Sequence, residues 1–215
     1  MTRVMITGAN RGIGAALASA YASRGDHVIA TARNATGLPD LDVTSPSSHR
    51  ALASTLGGER IDTLICNAGV YLDKHQTLSD GYSEDMWAKS FAVNVTGVFL
   101  TVQSFLSNVQ LSDRPRIAII SSQMGSDTRA PGGSYIYRAS KAAALNLGRN
   151  LATDLKHLKI AVGIYHPGWV TTDMGGSNAE ITPDAAAHGL IERIDALTVE
   201  NTGCFETWDG RAHPY

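Results

Sequence analysis

The chain has 215 residues, with 18 lysines and arginines against 20 aspartates and glutamates and a formal net charge of −2. This near balance argues against a nucleic-acid binder, which usually carries a clear basic excess. The length favours one domain, residues 1–215, large enough to bury a core without disulfides or metals. Glycine is the compositional outlier: 21 of the 215 residues are glycine, which is about 10% of the chain against an average of about 7%.

The N-terminal stretch, the apolar runs and the cysteines indicate where in the cell the protein is expected to be found. The apolar N-terminal stretch is interrupted after Ile6, so we expect no signal peptide. No run approaches 18 consecutive apolar residues, so we expect no membrane contact and a cytoplasmic location. Cys66 and Cys204 are the only cysteines and are expected to be reduced and packed. The scattered histidines are interpreted as surface or loop residues, and no cluster has metal-ligand spacing, so no metal is expected.

Short apolar runs alternate along the chain with longer helical stretches. Strands are predicted at 3–7, 27–32, 61–67, 116–121, 159–165 and 203–207, with a weak seventh near 40–42. Helices are predicted at 12–23, 46–56, 83–111, 134–158 and 183–197. The strands are near-continuous apolar runs rather than alternating ones, which is typical of a parallel sheet covered on both faces. Strand–helix alternation then predicts right-handed crossovers and a doubly wound α/β fold of about seven strands.

A glycine-rich turn follows the first predicted strand and leads directly into a helix. Such a turn lets a pyrophosphate approach the backbone closely, and the free amides of the helix start bind the anion. The alternative is an ordinary strand-to-helix turn, but the strand before and the helix after strengthen the motif. The predicted dinucleotide-binding residues of this turn are Gly8, Asn10, Arg11, Gly12, Ile13 and Gly14.

The end of the second predicted strand bears on which dinucleotide binds. No acidic residue occurs between Val28 and Pro39, where one would bind a ribose 2′-hydroxyl. Arg33 stands there instead, and Arg11 lies in the glycine turn; guanidinium groups pair well with a 2′-phosphate. We therefore predict that NADP(H) is preferred and that NAD(H) remains possible. The alternative interpretation of Arg33 is a solvated surface side chain.

Tyr137 and Lys141 are the candidate catalytic pair, because the spacing i, i+4 places both side chains on one helix face. A free phenol has a pKa near 10, too high for a good base at neutral pH. A nearby ammonium favours the phenolate and lowers that pKa, which would make Tyr137 a competent general acid/base. The same spacing also arises by chance on ordinary helices.

Seven motifs occur in an order and spacing typical of one family. They are TGANRGIG at 7–14, Asp42 in LDVTS, Asn67-Ala68-Gly69, Asn94 in AVNVTG, Ser121-Ser122 in IISSQMG, YRASK at 137–141 and PGWVTTDM at 167–174. On these residues the chain resembles the short-chain dehydrogenase/reductase family over essentially its whole length. Within that family it is similar to the small carbonyl-reductase-like members of the sniffer and C-factor type.

The resemblance implies a Rossmann-type fold and a set of residue roles. Tyr137 would exchange a proton with a carbonyl or alcohol oxygen that Ser122 orients. Lys141 would bind the nicotinamide ribose and lower the pKa of the tyrosine, and Asn94 would hold a water that links Lys141 to solvent. The further cofactor contacts that it implies are Asp42, Val43, Asn67, Ala68, Gly69, Pro167, Gly168, Val170 and Thr172.

The sequence differs from many members of this family in the segment that would cover the substrate. Only 175–182 is available for a lid, so we expect an open apolar cleft that suits a ketone, aldehyde or quinone. Candidate lining residues are Tyr71, Trp87, Met124, Tyr135 and Trp169. The long polar stretch 70–85 is interpreted as a mobile flap beside the cofactor.

Other functions stay open at this point. A catalytically weak NADP(H)-binding regulator or a C-factor-like signalling protein would share these motifs, although both Tyr137 and Lys141 are present. A sugar epimerase is disfavoured because it needs a larger C-terminal substrate domain. The resemblance also implies a homodimer or homotetramer formed through the helices at 83–111 and 134–158.

Overall fold

The computed structural model describes all 215 residues and contains one parallel sheet of six strands. They are β1 (Arg3–Thr7), β2 (His27–Thr31), β3 (Thr63–Cys66), β4 (Arg116–Ile120), β5 (Ala161–His166) and β6 (Phe205–Thr207). Their order across the sheet is β2-β1-β3-β4-β5-β6. The predicted α/β fold with a parallel sheet is confirmed.

The predicted number of about seven strands is wrong by one. The weak candidate near 40–42 forms only an isolated parallel bridge between Ala32 and Asp40. The chain turns away at once, because the Asp42 carboxylate accepts hydrogen bonds from the Thr44 amide at 2.9 Å and the Thr44 hydroxyl at 2.7 Å. This local turn directs the chain into the next helix before a strand can extend.

Six α-helices surround the sheet. They are α1 (Gly12–Ser23), α2 (Pro46–Leu56), α3 (Glu84–Phe91), α4 (Gly97–Val109), α5 (Tyr135–Leu155) and α6 (Pro183–Asp195). The single helix expected over 83–111 is divided by a π-helical turn at Ala92–Thr96. Ser45, Ser83 and Thr182 cap α2, α3 and α6, each accepting from a first-turn amide.

The two faces of the sheet bury two separate apolar layers. On one face, Met5 and Ile119 lie among residues of α2, α4 and α5. On the other, Ile6 and Ile120 pack against α1 and α6. Because successive strand residues enter opposite layers and both layers are dry, the central positions of β1 and β4 are apolar on both faces.

The histidine interpretation is wrong for His49 on α2 and His166 on β5, which are both buried; His213 is buried too, in an irregular segment. The His49 Nε2 atom lies 3.2 Å from the Thr101 hydroxyl on α4, so the ring joins two helices. Burial, with His213 and Arg129 adding to it, lowers the pKa of His166 to about 4. His166 is therefore neutral near pH 7.

The helical segment Glu84–Val109 is long and apolar enough to cross a membrane by length and composition alone. In this fold its inward side, with Val98, Val102 and Phe105, lies in the core beneath the sheet. A buried core helix commonly has this composition.

The strand order positions the site. The chain passes from β1 to β2 on one side and continues with β3 on the other side of β1. The loops that follow β1 and β3 therefore diverge at the carboxyl edge of the sheet. Open parallel sheets bind ligands in the crevice at such a point.

Candidate active site

A cleft of about 690 Å³ opens at the carboxyl edge, where the loops after β1 and β3 diverge. Most of the predicted cofactor residues line it: Gly8, Asn10, Arg11, Gly12, Ile13, Gly14, Arg33, Asp42, Val43, Asn67, Ala68, Gly69, Tyr137, Lys141, Pro167 and Thr172. Gly168 and Val170 lie instead in a neighbouring cavity. One crevice thus collects residues from six parts of the chain.

The glycine turn is held tightly in the cleft wall. Gly8 has φ +66°, and a Cβ atom at Gly14 would lie 2.3 Å from the Gly8 carbonyl oxygen. The Asn67 side-chain amide donates to the carbonyl oxygens of Thr7 at 3.0 Å and Gly8 at 3.1 Å, which joins the loop after β3 to the turn. Helix α1 then begins without a side-chain cap or an acidic residue in its first turn. Its free amides suit an anionic ligand.

The two arginines of the cleft differ in their partners. The Arg11 Nη1 atom lies 2.6 Å from the Asp173 carboxylate across the cleft, whereas the Arg33 Nη1 atom is 3.8 Å from that of Asp42. Burial raises the pKa of Asp42, but hydrogen bonds from Thr44 and the charge of Arg33 outweigh it and lower that pKa below its ordinary value. Arg33 is therefore the less engaged guanidinium.

A second cavity, of about 320 Å³, adjoins the cleft and shares Tyr137 with it. Tyr71, Met124 and Trp169 line it as predicted. Trp87 and Tyr135 do not: Trp87 stacks on Phe91, with centroids 6.0 Å apart, and Tyr135 packs edge-on to Tyr82 at 5.5 Å. Both belong to the helix surfaces beside the cavity.

The structure separates three neighbouring serines by what they contact. The Ser121 hydroxyl donates to the Lys141 carbonyl at 3.0 Å, and the Ser126 hydroxyl donates to the Tyr215 carbonyl at 3.1 Å. Ser122, just after β4, accepts from the Met124 amide at 3.1 Å and lines the cavity together with Tyr137. Ser122 and Tyr137 therefore line the same apolar cavity, whereas Ser121 also lines it but directs its hydroxyl to the Lys141 carbonyl.

Burial dominates the ionisation of the Tyr137–Lys141 pair. It raises the pKa of Tyr137 to about 12; the Ser122 hydroxyl opposes this rise, while Tyr71 and Asp73 add to it. Burial also lowers the pKa of Lys141 to about 8. The lysine Nζ lies 5.7 Å from the centre of the Tyr137 ring and donates to the Ile120 carbonyl at 3.0 Å. The expected lowering of the tyrosine pKa by Lys141 is thus not found in this geometry.

Asn94 lies in the π-helical turn and is buried. Its side-chain oxygen accepts from the Val70 amide at 2.8 Å, and its nitrogen donates to the Val70 carbonyl and the Ser140 hydroxyl, each at 2.9 Å. The amide therefore ties the loop after β3 to α5. Its expected role in holding a water stays a prediction, and π-helical turns often accompany functional sites.

The segment 70–85, expected to be a mobile flap, is fastened on two sides. The Lys74 Nζ atom donates to the Met174 carbonyl at 2.9 Å, and the Asp73 carboxylate accepts from backbone amides at the start of α5. No sequence pattern marks Asp73, because the stretch around it has no hydrophobic periodicity.

The fold and the site define an oxidoreductase with a dinucleotide cleft and a buried tyrosine, serine and lysine beside it. The family model for short chain dehydrogenases matches residues 2–182, and the chain belongs to this family.

Known relatives cover most or nearly all of the chain. It is 35% identical to 1-hydroxy-2-glutathionyl-2-methyl-3-butene dehydrogenase of a Rhodococcus species, over 98% of each chain. It is also 35% identical to C-signal of Myxococcus xanthus, over 77% of this chain and 99% of the relative. Among solved structures, the NADPH-bound carbonyl reductase from chicken fatty liver superposes with a TM-score of 0.91 at 28% identity, covering 100% of this chain and 99% of that one.

Proposed function

We propose that this protein is an NADP(H)-dependent oxidoreductase that interconverts a carbonyl compound and an alcohol, with Tyr137 as general acid/base. The observation that carries the proposal is the junction at Tyr137, where the dinucleotide cleft meets an apolar cavity that also contains Ser122. A carbonyl group in that cavity would lie beside both hydroxyls. The similarity to an NADPH-bound carbonyl reductase supports the same activity.

The residues of the cleft fit NADP(H). The uncapped start of α1 offers free amides to a pyrophosphate, and Arg33 offers a guanidinium to a 2′-phosphate. Lys141 is a buried residue of the cleft wall, and its ammonium has three donors that can serve ribose hydroxyls. When bound, NADPH supplies the hydride. NAD(H) lacks the group that Arg33 would recognise.

The protein's own groups handle the proton and the carbonyl oxygen. Because burial keeps the pKa of Tyr137 near 12, its phenol is protonated at neutral pH and can donate to the oxygen during reduction. The Ser122 hydroxyl donates to the same oxygen and stabilises its developing negative charge. The Lys141 ammonium would act on the cofactor ribose rather than on the phenol, since its Nζ lies 5.7 Å from the centre of the Tyr137 ring.

The cavity wall indicates the kind of substrate. Tyr71, Met124 and Trp169 make it mainly apolar. The short segment 175–182 folds back on its neighbour: the Trp169 indole donates to the Gly175 carbonyl at 3.0 Å, and the Thr171 amide donates to the Ile181 carbonyl at 2.9 Å. We infer that it leaves the cavity open, which suits apolar ketones, aldehydes and quinones.

A second candidate function is that of a catalytically weak NADP(H)-binding regulator or signalling protein. The similarity to C-signal favours it. The two candidates share cofactor binding but differ in turnover, so cofactor affinity alone cannot separate them.

The experiment is a panel of apolar ketones, aldehydes and quinones, assayed by NADPH absorbance with NADH in parallel. We expect turnover of at least one class, with a higher kcat/KM for NADPH than for NADH. Tight NADPH binding without turnover across the panel would favour the regulatory function. A higher kcat/KM with NADH would contradict the proposed cofactor preference.

A further inference from the structure

Helix α5, which carries Tyr137 in its first turn, does not begin with a cap of its own. Ser134 occupies the cap position, but it has left-handed backbone angles, φ 48° and ψ 43°, and its side chain caps no amide. Its hydroxyl is instead hydrogen-bonded to the phenol of Tyr71. The amides of the first turn therefore need an acceptor from elsewhere in the chain.

Asp73 supplies that acceptor from the loop after β3. One carboxylate oxygen accepts from the Ile136 amide at 2.8 Å, and the Tyr137 amide donates to the two oxygens at 3.2 and 3.4 Å. Asp73 is 0% exposed. A carboxylate is buried this deeply only when it is well hydrogen-bonded, and the positive end of a helix dipole is a favourable place for it.

The same loop also reaches the ring of Tyr137. Tyr71, two residues before Asp73, stacks on the Tyr137 ring with a centroid separation of 4.2 Å. Its phenol is hydrogen-bonded to Ser134, the residue just before α5. One loop thus holds both the backbone and the ring of Tyr137.

We propose that Asp73 is a positioning residue for Tyr137: its carboxylate fixes the first turn of α5 and thereby places the phenol at the junction of cleft and cavity. The inference rests on the proposed function, in which Tyr137 exchanges the proton. Asp73 touches the Tyr137 backbone and acts on the reaction through it. A misplacement of about 1 Å at a reacting group can reduce turnover about 100-fold.

The negative charge of Asp73 predicts a second measurable effect, on the pKa of Tyr137. The groups that face Tyr137 are Asp73, Tyr71, Ser122 and Lys141. Asp73 opposes phenolate formation, as does the burial of the ring, and it also faces the phenol of Tyr82. Removing the charge should therefore lower the pKa of Tyr137.

The test compares Asp73→Asn, which keeps an acceptor but removes the charge, with Asp73→Ala, which removes both. The matched control is Asp80→Asn in the same segment, whose exposed carboxylate accepts from the Thr77 hydroxyl at 2.6 Å. For each full-length variant, kcat in both directions, the Kd of NADPH and the pH profile of alcohol oxidation are measured. Each Asp73 change is repeated in the Tyr137→Phe background.

We expect Asp73→Ala to lower kcat about 10- to 100-fold with the Kd of NADPH within about twofold, and Asp73→Asn to recover part of the loss. Alcohol oxidation by Asp73→Asn should rise at lower pH than in the wild type, because oxidation needs the phenolate. The Asp80→Asn profile should match the wild type. In the Tyr137→Phe background, neither Asp73 change should lower the residual rate further.

Wild-type kcat and pH profile in both Asp73 variants would overturn the proposal, as would a parallel loss of kcat and NADPH affinity. If Asp73→Ala does not fold, the pH profile of alcohol oxidation by Asp73→Asn tests the proposal on its own: a shift to lower pH supports it, and a wild-type profile overturns it. Undiminished turnover in Tyr137→Phe would instead refute the proposed function itself, so the two failures are distinguishable.

Discussion

Tyr137 and Lys141 share one face of α5, and both are buried. Burial raises the pKa of the tyrosine and lowers that of the lysine, so it favours the neutral form of each side chain. For the phenol this is the form required to donate a proton. For the lysine it means that the charge proposed to act at the cofactor cleft is lost only a little above neutral pH.

The pH dependence of cofactor use follows from Lys141. With a pKa of about 8, its side chain is an ammonium below that pH and a neutral amine above it. We expect kcat/KM for NADPH to fall as the pH rises through about 8, since this parameter reports the free enzyme. An initial-rate series against pH checks this. A constant kcat/KM well above pH 8 would show that the lysine charge is not needed.

Arg33 should set the cofactor preference. Arg33→Ala removes the less engaged guanidinium of the cleft and should raise KM for NADPH about 10- to 100-fold, with little change for NADH. The control is Arg50→Ala, an exposed arginine on α2 outside the cleft. Equal losses with both cofactors would mean that Arg33 supports the cleft rather than recognising a 2′-phosphate.

At the scale of elements, the starts of the helices differ in a way that matches their proposed tasks. Helices α2, α3 and α6 are capped by their own serine or threonine, and α5 is capped by Asp73. Helix α1 has no side-chain cap, and its first turn forms a wall of the dinucleotide cleft. An anion is the partner that such a helix start accepts.

Gly14→Ala tests the wall of the cleft. The added Cβ would lie 2.3 Å from the Gly8 carbonyl oxygen and 2.5 Å from the Asn67 amide nitrogen, so the turn would have to open. We expect the Kd of NADPH to rise at least about tenfold, as measured by fluorescence titration. Gly58→Ala, where an added Cβ has no neighbour within 4 Å, is the control and should bind normally. Unchanged affinity in Gly14→Ala would contradict the assigned cofactor site.

The sequence predicted those elements whose signals are local. The bounds 3–7, 12–23 and 46–56 are confirmed, because apolar runs, the glycine turn and the Ser45-Pro46 start mark them directly. Tertiary contacts decided the rest. A parallel strand near residue 40 needed a longer pairing than Ala32 provides, and the role of Asp73 depends on an unusual backbone conformation at Ser134. Neither leaves a pattern in the sequence.

For the whole molecule, two apolar layers form most of the core, yet several large apolar side chains remain exposed, and one of them lies on α4. Phe99 on α4 is 42% exposed, whereas Val98 and Val102 on the same helix are buried. We propose that this outer face of α4 contributes to a homodimer or homotetramer.

Phe99→Asp tests this assembly. A charge at the centre of a contact between copies opposes association, so we expect a smaller species in sedimentation velocity than for the wild type. Ser54→Asp, at an exposed position on α2 outside the proposed contact, is the comparison for surface charge alone. A wild-type protein that sediments as a monomer would refute the assembly.

The most direct test of the central claim is Tyr137→Phe, which removes the phenolic hydroxyl and keeps the ring that stacks on Tyr71. Carbonyl reduction and NADPH binding are measured on the same preparation. The account predicts that kcat falls about 100- to 10,000-fold while the Kd of NADPH changes by no more than about twofold. Wild-type turnover in Tyr137→Phe would contradict it.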